Sequence, residues 1–405
     1  MAKLALEGLR VIELCWVIAG PYATKLLADM GAEVIKVESL QRVDGLRMVG
    51  PWKNSNPTQP NRSGLFDTKN VNKLSIQLNL KTSAGIEILK KLVSVSDVIV
   101  ENFSAGIMEK LGLGYQTLSE INPKIIMVRM AGFGQTGPYK NFRSFGPTLQ
   151  PISGLTSITG WPGRVPVGIG QAYPDFVSAL YAVFGILAAL RNRNDAKGMY
   201  IDLSQYESAV SVLGHSLLDY TVNKRIAGAR GNRHPNASPH GCFRCKGNDR
   251  WCVIAVYTDE EWEAFCNAIG NPDWTKCPEF ATLANRKESE DKLEQLIEEW
   301  TILHPAEEVM QIMQNAGVAA GVVQNVCDLI TNDPHMRARG YYQEVEHPPI
   351  GKVIPEGIPY KFSRTPGRFR TPAPLLGEHT DYVLKTILGM TQGEIDKLVA
   401  DGVFQ

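Results

Sequence analysis

Apolar and polar positions in the first forty residues fall into a repeating order. Arg10–Leu14 is a short run with strand character, Gly20-Pro21 interrupts it, Ala23–Met30 has a helical spacing, and Gly31 suits the stop. Ala32–Glu38 (AEVIKVE) is the next strand, so the segment predicts a βαβ unit with a right-handed crossover and a parallel strand pair. The order recurs: strand at Lys73–Leu78, helix at Ser83–Val95, strand at Asp97–Val100, helix at Met108–Leu118, strand at Ile125–Met130. Alternation of this kind predicts an α/β fold, an open, mostly parallel Rossmann-like sheet covered by helices. Segment 40–70, rich in Gly, Pro, Asn and Ser, reads as a long surface loop.

Further along, Asp175–Leu190 is apolar almost throughout and predicts a buried helix. Ile201–Leu203 reads as a strand and Gln205–Val222 as a second long helix. Near Arg230–Pro239 the texture turns polar and irregular. Cys252–Tyr257 then reads as a strand, and Glu260–Ile269, Lys287–Thr301 and Ala306–Ala316 as amphipathic helices. These patterns divide the chain into a large domain over 1–200, a linker helix over 201–227, and a smaller α+β domain over 228–325. A return segment over 326–405 ends in a helix near Gln392–Ala400, and residues from about 330 onward complete the large domain.

Composition narrows the possible partners. Lys plus Arg and Asp plus Glu each total 42 of 405 residues, so net charge supplies no general attraction to nucleic acid or to an anionic membrane. The N-terminus lacks the apolar stretch and cleavage site of a secretory signal, and no unbroken run of eighteen apolar residues predicts a membrane span. Seven cysteines, an odd number spread from Cys15 to Cys327, imply reduced thiols and a cytoplasmic location. His234, His240, Cys242, Cys245 and Cys252 include one C-x-x-C of zinc-ligand spacing. No second such pair follows, and Phe243 and Trp251–Val256 look like strand packing, so small buried thiols are the preferred reading and no metal is expected. The first βα turn reads WVIAGPY. It has no G-x-G-x-x-G, and no P-loop occurs, so neither a dinucleotide nor a nucleoside triphosphate is implied.

Four segments carry the chemistry: LEGLRVIELCWVIAGPYATKLLADMGAEVIKVE at 6–38, DVIVENFSAGIMEKLGLGYQTLSEINPKIIMVRMAGFGQTGP at 97–138, YPDFVSALYAVFGILAALRNRNDAKGMYIDLSQYESAV at 173–210, and TPAPLLGEHTDYVLKTILGMTQGEIDKLVADGV at 371–403. Together, in this order and over the whole length, they resemble the class III CoA-transferases, the family of formyl-CoA, carnitine and benzylsuccinate CoA-transferases. The resemblance implies a Rossmann-like large domain and a smaller domain, with two chains threaded through each other as an interlocked-ring dimer.

It also implies a nucleophile. In the family pattern D-x-x-x-G an aspartate opens a buried helix; here it is Asp175, and the glycine is replaced by Ala179. Read from the residues alone, an Asp at this place is an ordinary helix cap, its anion favoured by the first-turn N–H groups. The family reading makes it a covalent relay that becomes an acyl anhydride and then an aspartyl-CoA thioester. Trp16-Val17-Ile18-Ala19 matches the loop beside the thioester, and Ile18 stands where formyl-CoA transferases carry a glutamine, which favours an apolar acyl group. Coenzyme A contacts are implied for Val17, Ala19, Ser39, Leu78, Asn102, Lys110 and Arg143. Ser39 replaces an arginine common in the family, with Arg42 three residues on. Trp16, Ile18, Tyr173 and Phe176, with Trp161, are the expected acyl pocket. No cofactor is implied, because the CoA thioester is itself the substrate.

The expected partners are therefore an acyl-CoA (succinyl-CoA among the donors), an apolar or aromatic carboxylic acid such as benzylsuccinate, and a second copy or a related chain. Two alternatives share the fold. A 2-methylacyl-CoA racemase would need a His-Asp pair in FRSFGPTLQPISG at 142–154, which contains no histidine. A non-catalytic subunit of a heteromeric CoA-transferase would fit the changes at Ser39 and Ala179, but not the presence of Asp175.

Overall fold

The computed structural model describes residues 3–53, 59–193 and 197–404. These divide into two compact units: residues 1–157, 168–227 and 336–405 form one, and 158–167 with 228–335 form the other. The first is built on six parallel strands: β1 Arg10–Leu14, β2 Glu33–Glu38, β3 Lys73–Gln77, β4 Val98–Glu101, β5 Ile126–Arg129 and β6 Met199–Asp202. Their order across the sheet is β3-β2-β1-β4-β5-β6. One register row runs Leu74, Ile35, Ile12, Ile99, Met127, Tyr200.

Strand alternation sends these side chains to one face and their neighbours to the other. Ile12, Ile35, Ile99 and Met127 bury against Ile88, Leu89 and Leu92 of helix Ser83–Ser94 and against Val383, Leu384 and Ile395 from the chain's end. Val11, Val34, Val98 and Val128 bury against two helices, α1 (Ala19–Asp29) and α2 (Tyr173–Arg191). Both helices bring small residues to this cluster, Ala19, Ala23 and Ala28 from α1 and Ala179, Ala182 and Ala189 from α2, which allows a close approach. Both sheet faces are thus covered, as an all-parallel sheet requires.

The second unit has an antiparallel sheet, β7 (His240–Arg244), β8 (Trp251–Ala255) and β9 (Ala319–Val322). Phe243, Phe265, Leu293, Ile297, Val309 and Met313 form its core with the helices Asp259–Ala268, Glu290–Thr301 and Ala306–Asn315.

Several elements differ from the sequence reading. Segment 40–70 is not a plain surface loop: Gly45–Met48 and Gly64–Asn70 are helical, and Asp44, Leu46, Arg47 and Phe66 are buried (residues 54–58 lie outside the described residues). Arg47 there makes a fully buried pair with Glu38. The helix expected over Met108–Leu118 breaks into Ile107–Lys110 and Tyr115–Ile121, because Gly112 takes a left-handed φ of 68° between them. Residues 201–227 hold the end of β6 and two helices, Gln205–Ser211 and Gly214–Asn223, where one was expected over Gln205–Val222. Helix α2 is buried on one side only: Leu180, Tyr181, Phe184 and Leu187 are exposed. At 19 residues and mean hydropathy 1.6 it is long and apolar enough to cross a membrane. Its other side packs on the sheet and carries the buried Asp175, the arrangement of a core helix.

Candidate active site

The order β3-β2-β1-β4-β5-β6 reverses direction between β1 and β4, and an open α/β sheet binds its ligands at such a point, beyond the carboxyl ends of the strands. A cleft of about 620 Å³ lies there. Trp16 follows β1, Ser39 follows β2, Leu78 follows β3, Asn102 and Phe103 follow β4, and Ala131 and Gly132 follow β5; all line it. Trp16 packs edge-on against Phe103 at 5.2 Å, and the Arg42 guanidinium lies 4.3 Å over the Trp16 ring. Lys81 and Lys140 add two more positive groups to the walls.

Asp175 faces this cleft from the first turn of α2, with only 7% of its surface exposed. Helix α1 starts at Ala19 without a side-chain cap. The backbone N–H groups of Ala19 and of Asp175 itself lie near the Asp175 carboxylate and favour its anion. The second oxygen, Oδ2, is buried and has no hydrogen-bond partner. Burial outweighs the two N–H groups and pushes the carboxyl up to about 6. Room beside Oδ2 depends on Gly146, since a methyl group there would lie 2.1 Å from Oδ2 and 2.6 Å from the Ala172 Cβ. Gly146 begins the helix Gly146–Ile152, whose buried Gln150 donates to the carbonyls of Ile169 (3.1 Å) and Gln171 (2.6 Å) and so fixes the approach to α2.

The turn between β1 and α1 is held from below. Asn102 brackets Trp16, accepting its N–H at 2.9 Å and donating to its carbonyl at 2.7 Å. Asp44 accepts the Val17 N–H at 2.9 Å. Lys36 donates to the Cys15 carbonyl at 2.8 Å, and Lys73 to the Pro21 carbonyl at 2.8 Å. Both lysines share Glu13. Burial alone would raise Glu13, but the two ammonium groups win and hold it at about 2. Lys73, pulled down by burial and only partly compensated by Glu13, sits at about 8.

Of the residues singled out in the sequence, Val17, Ser39, Leu78, Asn102, Trp16, Ile18 and Asp175 line this one cleft. Ala19 is buried, with its backbone N–H near the Asp175 carboxylate. Lys110 and Arg143 are exposed and lie outside the lining. Tyr173 and Phe176 also lie outside it; the Phe176 ring packs against Tyr22 at 4.9 Å, and the ammonium of Lys69 lies 5.4 Å from its centre. Trp161 belongs to the second unit, beside a separate cavity with Arg230, Arg233 and Phe243. Ala179 is fully buried among the small residues of α1 and α2 and does not narrow the cleft. The thiols of Cys245 and Cys252 are pushed up by burial to about 11 and about 12. Among the described residues no set of three or more His, Cys, Asp or Glu side chains is placed to hold a metal ion.

The sequence reading missed Gly146, Lys81, Lys140 and Asp44. Gly146-Pro147 shows a helix start, but what the missing side chain makes room for is a tertiary fact. Asp44-Gly45 carries the signature of a local cap, which says nothing of the bond to Val17.

The sequence model of the family described as CoA-transferase family III matches residues 6–380. The chain belongs to that family. It is 33% identical to the succinyl-CoA–D-citramalate CoA-transferase of Chloroflexus aurantiacus, over 98% of this chain and 98% of that one. It is also 33% identical to the beta subunit of the succinyl-CoA–L-malate CoA-transferase of the same organism, over 98% and 97%. A crystal structure of a CAIB/BAIF family protein from Brucella suis superimposes with a TM-score of 0.87 at 31% identity, covering 95% of this chain and all of that one. A family III CoA-transferase moves coenzyme A between an acyl-CoA and a carboxylic acid, and this chain is such an enzyme.

Proposed function

We propose that the enzyme takes coenzyme A from succinyl-CoA and gives it to a carboxylic acid with an apolar or aromatic body, benzylsuccinate being one candidate, through covalent intermediates on Asp175. The observation that carries this reading is the Asp175 carboxylate, buried at the cleft with Oδ2 free of any hydrogen-bond partner. Oδ2 attacks the thioester carbon, the C–S bond breaks, and CoA leaves as thiolate. The thiolate attacks Cγ of the resulting anhydride and expels succinate, leaving an aspartyl-CoA thioester. The acceptor carboxylate then attacks Cγ, displaces the thiolate, and the thiolate takes the acceptor's acyl group and frees Asp175. Charge that develops on the aspartyl oxygen at each Cγ step meets the N–H of Ala19, and such a donor contributes roughly 3–4 kcal/mol to acyl transfer.

The donor is assigned from relatives named for succinyl-CoA. The apolar acceptor is assigned from Trp16, Ile18, Phe145 and Ala172 around the nucleophile. Arg42, Lys81 and Lys140 join Lys110 and Arg143 as candidate contacts for the CoA phosphates. The working form is an interlocked dimer, which the exposed apolar side of α2 supports, and the free state of all seven thiols accords with a cytoplasmic enzyme. The purified chain, given succinyl-CoA and a panel of free acids, forms the new acyl-CoA fastest with apolar or aromatic acids. Exclusive use of small polar acids overturns the acceptor assignment. A chain inactive alone but active with a related chain is instead one subunit of a heteromer, as the relative named as a beta subunit illustrates.

A further inference from the structure

Val17 has φ of 68°. A β-branched residue in the left-handed region is a true outlier, and its backbone persists only where the surroundings over-determine it. Here the surroundings are visible. Asp44 is fully buried, and its Oδ1 accepts the N–H of Val17 at 2.9 Å and that of Leu46 at 2.9 Å. Its Oδ2 pairs at 2.9 Å with Lys36, which donates to Glu13 at 2.8 Å and to the Cys15 carbonyl at 2.8 Å. The carboxylate therefore ties the strained residue to a fixed buried charge, and that same charge holds the backbone two residues earlier. Two residues later comes Ala19, which opens helix α1 and whose backbone N–H lies near the Asp175 carboxylate and favours its anion.

We propose that Asp44 is a positioning residue: it holds Val17 in its left-handed conformation, and that conformation aims the Ala19 N–H at the carboxylate of Asp175. The proposal rests on Asp175 being the nucleophile. Asp44 touches neither substrate nor reacting atoms. It acts through the backbone of the turn, so its loss slows the chemical steps more than it weakens binding of the acyl-CoA.

The test uses the full-length enzyme. Asp44→Ala lowers kcat about 10- to 100-fold, the range for misplaced catalytic groups, while KM for succinyl-CoA changes less than about threefold. Without the Ala19 N–H the Asp175 anion loses a donor, so the acidic limb of the kcat/KM profile moves up by about half a pH unit or more. Asp44→Asn keeps an acceptor for Val17 but not the charge facing Lys36. It serves if the alanine variant does not fold, and shows a smaller limb shift with a smaller fall in kcat. Val17→Gly added to Asp44→Ala recovers part of the lost kcat, because glycine adopts the left-handed conformation without strain.

Parent kcat and an unmoved acidic limb in Asp44→Asn and Asp44→Ala overturn the proposal. So does a loss confined to KM, or a double variant no better than Asp44→Ala. In the same series the parent enzyme is trapped with hydroxylamine. A parent label on Asp175 with indifferent Asp44 variants removes this inference and leaves the nucleophile standing, whereas a parent with no label on Asp175 removes both.

Discussion

Burial raises the Asp175 carboxyl to about 6, so at pH 8 the side chain is an anion in a place that favours the acid. The folded protein then binds a proton at this site more tightly than the unfolded chain, whose Asp titrates near 4. Stability from this group is greatest below that value, falls as pH rises through the interval to about 6, and at pH 8 carries a penalty on the order of 3 kcal/mol. Asp175→Asn is therefore expected to melt several degrees higher than the parent at pH 8, with the difference vanishing below pH 4, while transfer is lost. Parallel calorimetry at the two pH values checks this. Catalysis follows the opposite direction: kcat/KM should fall about tenfold per unit below pH 6 as the nucleophile is protonated. Gly146 makes a separate demand. A methyl 2.1 Å from Oδ2 blocks attack without touching the cationic walls. Gly146→Ala should cost about 100-fold or more in kcat with little change in KM for acyl-CoA, measured by steady-state kinetics.

At the scale of elements, the site is a meeting of turns. Asn102 joins the end of β4 to the turn after β1 through both polar atoms of its amide. Asn102→Asp keeps the acceptor but sets an oxygen against the Trp16 carbonyl. It should destabilise the fold by about 1–3 kcal/mol, read from urea denaturation, and lower kcat alongside. The strands of the parallel sheet were legible in the chain, since AEVIKVE, DVIV and IIMVR have the apolar texture of a sheet buried on both faces. The family motif singled out Asp175, and the structure places that side chain at the cleft. What the sequence did not show was what the turns do. Gly112 ends one helical segment and opens another, and no periodicity marks it. Nothing in WVIAG shows that Val17 is left-handed or that Asp44, nearly thirty residues away, holds it there. Segment 40–70 has the composition of a loop because its buried parts are anchored by charges, Arg47 with Glu38 and Asp44 with Lys36, and not by an apolar stripe.

For the whole molecule, the exposed side of α2 matters most. Leu180, Phe184 and Leu187 lie at helical spacing on one stripe, with Phe184 71% exposed. A contiguous exposed apolar stripe marks an interaction surface, and the proposed dimer would cover it. Phe184→Glu is expected to leave a smaller share of the expressed protein assembled as dimer in sedimentation velocity, because threaded chains must meet while folding; an unchanged dimer share would show that this stripe lies outside the interface. The central claim is chemical, and one measurement reaches it directly. Enzyme incubated with succinyl-CoA and no acceptor is treated with borohydride or hydroxylamine, digested and mapped by mass spectrometry. The account predicts a reduced or hydroxamate-bearing side chain on the peptide containing Tyr173-Pro174-Asp175, absent from Asp175→Asn. An adduct elsewhere in the chain, or turnover by an enzyme that never carries one, would contradict it.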